Sequence, residues 1–425
     1  MSRTALPLPA AGRGFVLLAA LAWALLAGCG REDPPVPACP DPLGCVEVAP
    51  GEPLVVGVLE ALSGEPRPIG LDQLRAVELA VESWGGGMLG HDIVLAVEDS
   101  HCSKEGGVTA ALKLAANPKV LGAVGPTCSG AAVSAGKVLS DAGMVLVSGS
   151  STAPVLTRTG DRKGAAWQPG FMRTAQNDEE QGRAAAQFAF HRLGVRRAAS
   201  IHDGDPYTRG LAEAFDAAFA ALGGEVALST GVNKGDRDMQ PVLAAVAASG
   251  ARFLFAPVFR PEGDRLVLQA RKVKGLEDAA VMSSDGLFLD GFLDAVGDAG
   301  RGLYFVLPAT PEGKGYEAFV ARYRERYGEA PNTSYHAHTY DAANMLLDAV
   351  RNVAASLPGG GLRFGRQALR DKLRSTRGYA GLTGTLACDE FGDCGSSRFK
   401  VLRLDDPSGG MEALRANEVF RHAPR

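Results

Sequence analysis

After residue 26 the chain has no apolar run long enough to form a membrane-spanning helix, so everything downstream is expected to fold in water. Basic clustering is also missing. The 425 residues carry 44 Lys and Arg against 48 Asp and Glu, a formal net charge of -4, and the cations are scattered, which argues against nucleic acid as a partner. The common catalytic signatures are absent as well: there is no G-x-S-x-G elbow, no P-loop and no H-E-x-x-H, and the reading is not an enzyme and no cofactor. No cysteine pair has the C-x-x-C spacing, which weakens the case for a structural metal site.

The first informative feature is N-terminal. Arg3 and Arg13 precede the apolar run Phe15 to Leu26, too short for a durable spanning helix and the right length for a signal peptide. The run ends in Leu26-Ala27-Gly28-Cys29, which resembles the bacterial lipobox and makes Cys29 the expected lipidation site and first mature residue. Ordinary cleavage at Ala27-Gly28 with a free thiol is the alternative. The protein is thus expected on the extracytoplasmic side of the cell envelope, lipid-anchored to a membrane. From 29 to 53 proline and charge dominate, and a tether without a core is expected.

With Cys29 set aside, six cysteines remain, and even parity in an oxidising compartment favours disulfides. Fifteen connectivities are possible. The close pairs Cys39/Cys45 and Cys388/Cys394 leave Cys102 to join Cys128, and that set is the expectation.

From Leu54 the pattern turns regular. Leu54-Val55-Val56-Gly57-Val58-Leu59 reads as a strand covered on both faces, followed by a helix over 72–84, a strand over 93–97, a helix over 104–116, a strand over 121–124, a helix over 131–142 and a strand over 144–147. The alternation restarts after Arg173-Thr174: helices over 179–193, 208–222 and 240–248, and strands over 198–201, 225–228, 253–256, 280–282 and 303–306. Late helices over 341–354 and 367–375 are expected to return to the first unit. This predicts an α/β chain of two doubly wound parallel-sheet lobes joined by a multi-strand hinge. The expected division is 1–28 leader, 29–53 tether, 54–173 plus about 308–386 for the first lobe, and 174–307 plus about 387–425 for the second.

In doubly wound sheets ligands bind beyond the carboxyl ends of the strands. Gly85-Gly86-Gly87-Met88-Leu89-Gly90 spells a dinucleotide fingerprint, but it follows a helix and precedes a strand, the reverse of the required context. Ser134-Ala135-Gly136-Lys137 spells S-x-x-K inside a predicted helix, with no Lys-Thr-Gly partner. His336 and His338 lack further ligands at useful spacing and read as pocket wall or loop. The strand-end turns are more informative. Gly125 to Gly130, with Ser129, and Ser148 to Thr152, with Ser150 and Ser151, offer hydroxyls and backbone N–H groups suited to a carboxylate. Helix capping accounts for each turn singly. In the second lobe, Ile201 to Tyr207 and Ser283 to Gly286 are equivalent loops, and Asp285 could answer a ligand ammonium or cap a helix.

Residues 54 to about 404 resemble the type I periplasmic binding proteins of the leucine/isoleucine/valine family, which deliver solutes to ABC importers. The resemblance rests on Leu62-Ser63-Gly64, the Cys102 and Cys128 pair, Cys128-Ser129, Thr152-Ala153-Pro154, His202-Asp203 with Tyr207, Gln269-Ala270-Arg271, Thr339-Tyr340-Asp341-Ala342, and Gly381 to Asp393. It implies a monomer that hands a small molecule to ABC permease subunits. It also implies that Ser129 with Ser150 and Thr152 holds an α-carboxylate, and that Tyr207 and Asp285 meet an α-ammonium. Phe259 and Tyr335 would line the side-chain pocket. Ile69 stands where such binders often place Tyr, and Asp285 replaces Glu, so the sequence departs from the pattern at the pocket. A binder of another small ligand (amide, aromatic acid or dicarboxylate) and a protein-binding envelope regulator are the rival expectations.

Overall fold

The computed structural model describes residues 38–422 and, singly, Ser2 and Ala5. Those two apart, the expected leader, Cys29 and the tether as far as residue 37 lie outside the described residues. The tether reading fails at β1 (Cys45–Val48), which pairs antiparallel with Leu362–Gly365 and buries Val46 and Val48 in the first core. The physical reason is local: Val46-Glu47-Val48 alternates, so both valines share one face of a strand, a signal masked by the prolines around it.

Five parallel strands follow: β2 (Leu54–Glu60), β3 (His91–Asp99), β4 (Val120–Val124), β5 (Leu146–Ser148) and β6 (Phe171–Arg173), ordered β3-β2-β4-β5-β6. The two-residue strand Gly87–Met88 turns back antiparallel on the β3 edge, the turn role read from the glycine run. Helices α1 (Arg67–Ser83), α2 (Lys104–Ala116) and α3 (Ser129–Asp141) make the crossovers. Helix α2 has the expected bounds because Ser103 caps it, its side chain accepting from Gly106 N–H. Helix α1 begins five residues before the expected 72, since Pro68 sits in its first turn, where a missing N–H costs nothing.

The second sheet is built from β7 (Arg197–His202), β8 (Glu225–Gly231), β9 (Phe253–Phe255), β10 (Ala280–Ser284) and β11 (Tyr304–Pro308), all parallel in the order β8-β7-β9-β10-β11. It is covered by α4 (Asp178–Gln187), α5 (Pro206–Ala221), α6 (Gln240–Ser249), α7 (Glu262–Ala270) and α8 (Asp290–Val296). The chain then makes α9 (Lys314–Tyr327), α10 (His336–Val353) and α11 (Arg366–Arg374). Helices α9 and α10 pack on the first unit: Phe319 and Tyr323 against Ala76 and Leu79, and Leu346 and Val350 among Val58, Val124 and Val147. Finally β12 (Phe399–Arg403), α12 (Gly410–Ala416) and β13 (Glu418–His422) add two antiparallel strands beyond β11, where an all-parallel sheet was expected. Cys388 and Cys394 belong to the first core, so the last crossing lies after Cys394 rather than at 387.

Three segments therefore connect the units, after β6, after β11 and before β12. The disulfides are Cys39–Cys45, Cys102–Cys128 and Cys388–Cys394. Among the described residues no helix is long and apolar enough to cross a membrane.

Candidate functional site

The carboxyl ends of β4 and β5 present the two hydroxyl-rich turns side by side. All of Ser129, Ser150, Ser151 and Thr152 are buried. Their hydroxyls differ in what remains free. Ser150 Oγ donates to the Thr127 carbonyl (2.8 Å) and Ser151 Oγ to the Pro126 carbonyl (2.8 Å), so both protons are committed to bracing one turn on the other. Ser129 Oγ only accepts, from the Ala153 N–H at 3.1 Å, which leaves its own proton available. Thr152 Oγ1 is fully buried, makes no hydrogen bond of ordinary length among the described residues and has the Asp178 carboxylate as its neighbour. Of four hydroxyls read as carboxylate donors, Ser129 keeps a free proton, and Thr152 has only the Asp178 carboxylate to share with a ligand.

Across from these turns the second unit contributes Tyr207, in the first turn of α5, and Asp285, at the end of β10. Asp205 caps α5 by accepting from Tyr207 N–H, and Pro206 occupies the first helical position, which aims Tyr207 inward. The Tyr207 hydroxyl meets Ser284 Oγ at 2.7 Å, and its ring lies against Phe259, centroids 5.3 Å apart. Asp285 Oδ1 accepts from Gln181 Nε2 at 2.8 Å, with the Tyr207 and Tyr335 hydroxyls beside it. Tyr335, from the connection into α10, accepts from Gln176 Nε2 at 3.0 Å.

Sequence reasoning missed Asp178. It opens α4 behind Asn177, which caps the helix by accepting from Glu179 N–H. An acidic residue in a first helical turn is ordinary complement to the helix dipole, so nothing local marked it. In the fold it is fully buried; its carboxylate makes no hydrogen bond of ordinary length among the described residues, and its polar neighbour is the Thr152 hydroxyl, on the residue whose carbonyl accepts from Asp178 N–H at 3.0 Å. Burial pushes its pKa up and the neighbouring Asp285 charge pushes further; burial likewise raises Asp285. Tyr207 and Tyr335 are held well above their usual range by burial and then by Asp285. The result is a buried acidic pair ringed by two phenols.

Ile69 and Phe259 line one small cavity of about 10 Å³ with Glu65, Pro66 and Gly286. The two units touch around it. Glu65 and Arg260 form an ion pair at 3.1 Å, and a Cβ placed on Gly130 of α3 would stand 2.6 Å from Asp205 Oδ2. The anion next to the start of α3 is therefore the protein's own Asp205, which Lys234 also contacts at 3.2 Å. His336 and His338 are not loop residues: both lie in the first turn of α10, five residues earlier than that helix was expected to begin. His338 is buried beside Tyr335, and burial, then His336, pulls its pKa down to about 3, so it is neutral.

Residues 53–405 match the sequence model of a family described as periplasmic binding protein. The amino acid binding protein of Pseudomonas aeruginosa is 29% identical over 313 residues, covering 72% of this chain and 80% of that protein. Among solved structures, a leucine binding protein from Thermotoga maritima is similar with a TM-score of 0.74 at 24% identity, covering 87% of this chain and 99% of its own. A solute binding protein from R. palustris in complex with benzoate has a TM-score of 0.71 at 22% identity, covering 88% of this chain and 97% of its own. At these identities the two structural likenesses speak to the fold.

Proposed function

The chain belongs to the periplasmic binding protein family, and from that premise we infer that it captures an amino acid with an apolar or aromatic side chain for an ABC importer. The observation that carries this reading is the buried acidic pair Asp178 and Asp285, adjoining the hydroxyl-rich turn at Thr152, while Ser129 at the start of α3 keeps its own proton free. Two close buried carboxylates favour sharing one proton, which leaves a net single negative charge. An α-ammonium matches that charge, while the two hydroxyls match an α-carboxylate. A benzoate-like acid, such as the R. palustris protein holds, would bring a second anion to the acidic pair and leave it uncompensated.

In this reading Tyr207 and Asp285 swing onto a ligand seated on the first unit, and Ile69, Phe259 and Tyr335 shape the space for its side chain. The three connecting segments act as the hinge, and closure removes water from the paired charges. The lobes are taken as 54–173 with β1 and about 308–395, and 174–307 with about 396–425. Relatives named as amino acid and leucine binding proteins support a small-molecule ligand. A permease partner, a monomeric state and a lipid anchor on Cys29 complete the proposal, the last supported by Leu26-Ala27-Gly28-Cys29.

The test is titration calorimetry of the purified protein with apolar and aromatic amino acids and with benzoate. Binding of an amino acid, weakened at least ~30-fold by Asp285→Ala, is expected, because truncating one member of a buried charge-assisted pair costs about 2 to 5 kcal/mol. Binding of benzoate in preference to phenylalanine would remove the ammonium role and the amino-acid reading with it.

A further inference from the structure

A second cavity, of about 390 Å³, opens where α9 and the start of α10 meet β11, β12 and α12. It shares no residue with the cleft described above, and its volume lies in the range of small-molecule sites. Its walls come from both units: Leu307, Phe288, Lys400 and Arg415 from the second, Tyr316 and Arg324 from the helix packed on the first.

The charges around it are one-sided. The cations Lys400, Arg415 and Arg324 line it, with the His336 ring beside them, and no Asp or Glu does. Lys400 is only 9% exposed, and its ammonium donates to Thr310 Oγ1 at 2.6 Å, with no carboxylate in ion-pair range among the described residues. Arg415 gives one donor to the Asn332 carbonyl (2.6 Å) and stacks over the Phe288 ring at 5.5 Å. The Arg324 guanidinium has no partner among the described residues and stands exposed at the rim. His336 is turned to its own neighbours, Nε2 to the Tyr316 hydroxyl at 2.9 Å and Nδ1 3.5 Å from Asp72. Asp72 does not serve the cavity, because Tyr323 and Thr333 already occupy it.

A cation that is nine-tenths buried is costly unless an anion answers it. Burial weakens the Lys400 ammonium; Glu418 partly restores it, and Arg415 and Arg421 weaken it again. Glu418 itself is engaged by Arg421 at 2.8 Å. The apolar and aromatic remainder of the wall, Phe288, Leu307, Val320 and Pro331, would be wasted on an inorganic ion. We propose that this cavity is a second binding site, taking a small organic dicarboxylate with an apolar body, one carboxylate at Lys400 and Thr310 and the other at the Arg415 and Arg324 rim.

The position gives such a ligand a consequence. An occupant touching Lys400 and Tyr316 at once ties the two units together. Tyr335, beside Asp285 in the cleft, and His336, in the cavity wall, are consecutive residues at the start of α10. Any preference of the dicarboxylate for one hinge angle is returned as an equal change in cleft affinity.

The experiment is titration calorimetry of the purified protein, with no cleft ligand added, using phthalate, isophthalate and terephthalate, with benzoate and inorganic phosphate as comparisons. One benzenedicarboxylate is expected to bind, with benzoate and phosphate about tenfold or more weaker. Lys400→Met and Arg415→Gln should each weaken it by a similar factor, while Lys113→Gln, on the exposed face of α2 away from both sites, leaves it unchanged. Should Lys400→Met not fold, Arg415→Gln and Arg324→Gln at the exposed rim carry the test. Absence of dicarboxylate binding at millimolar concentration, phosphate binding as tightly as the dicarboxylate, or binding lost in Asp285→Ala but kept in Arg415→Gln would overturn the proposal. Because the readout needs no amino acid, its failure is distinguishable from failure of the cleft reading.

Discussion

Ser150 and Thr152 are two residues apart in one turn, yet their hydroxyls do opposite things. Ser150 braces the neighbouring turn through the Thr127 carbonyl, whereas Thr152 Oγ1 is buried with no hydrogen bond of ordinary length among the described residues and only the Asp178 carboxylate beside it. Ser150→Ala is therefore expected to cost about 1 kcal/mol of stability with little change in ligand affinity. Thr152→Val should leave the unliganded protein as stable or slightly more so and weaken ligand binding about five- to tenfold. Chemical denaturation and calorimetry on the two variants separate the roles. Glu60, at the end of β2, is a different kind of buried acid. Thr127 donates to its Oε2 at 2.6 Å, Oε1 has no partner, and burial pushes its pKa up to about 8. A raised folded-state pKa means that the folded protein holds a proton the unfolded chain releases. Stability from this group is complete below the unfolded carboxyl pKa near 4.5 and is lost as pH rises through about 8. Glu60→Gln should flatten that loss, read as the difference between variant and wild-type thermal unfolding across the window.

At the scale of the element, α10 links the first core to both candidate sites. Its buried face packs Leu346 and Val350 into the first core, and its first turn approaches the β5 turn so closely that only glycine fits at 149. A Cβ there would stand 2.5 Å from Thr339 Cα and 2.6 Å from Thr339 N, backbone atoms that cannot rotate away. Gly149→Ala is expected to destabilise by about 1 to 3 kcal/mol through overpacking, visible as a lower denaturation midpoint. The disulfide Cys102–Cys128 works on the neighbouring turn, tying the residue that precedes α3 to the loop after β3.

For the whole molecule the question is closure. The Glu65–Arg260 pair spans the units, but Glu65 is half exposed, and such pairs contribute about 0.2 to 1 kcal/mol. Steric fit at Gly130 matters more, because that glycine lets Asp205 lie against the start of α3. Gly130→Ala leaves each unit's own core untouched and obstructs their approach. Thermal stability without ligand should be nearly unchanged while ligand affinity falls about tenfold. Small-angle scattering should then show a ligand-saturated variant more extended than the wild type, and an equally compact variant would show that Gly130 does not limit closure.

What the sequence determined by itself was the alternation of strands and helices, because runs such as Leu54 to Leu59 and capped helices such as α2 are settled by near neighbours in the chain. The family resemblance was legible for the same reason, in short turns whose residues lie together. Elements whose stability comes from distant partners were not legible: β1 needed Leu362–Gly365, β12 and β13 needed β11, and α9 needed Ala76 and Leu79. The site divided along the same line. Asp285 announced itself at a strand end, whereas Asp178 looked like a routine first-turn acid until the fold buried it beside Asp285. Which serine protons are already spent, and where three scattered cations line one cavity, are matters of approach between residues far apart in sequence. Only tertiary structure decides them, since hydrogen bonds and desolvation act over a few ångströms of space and not along the chain.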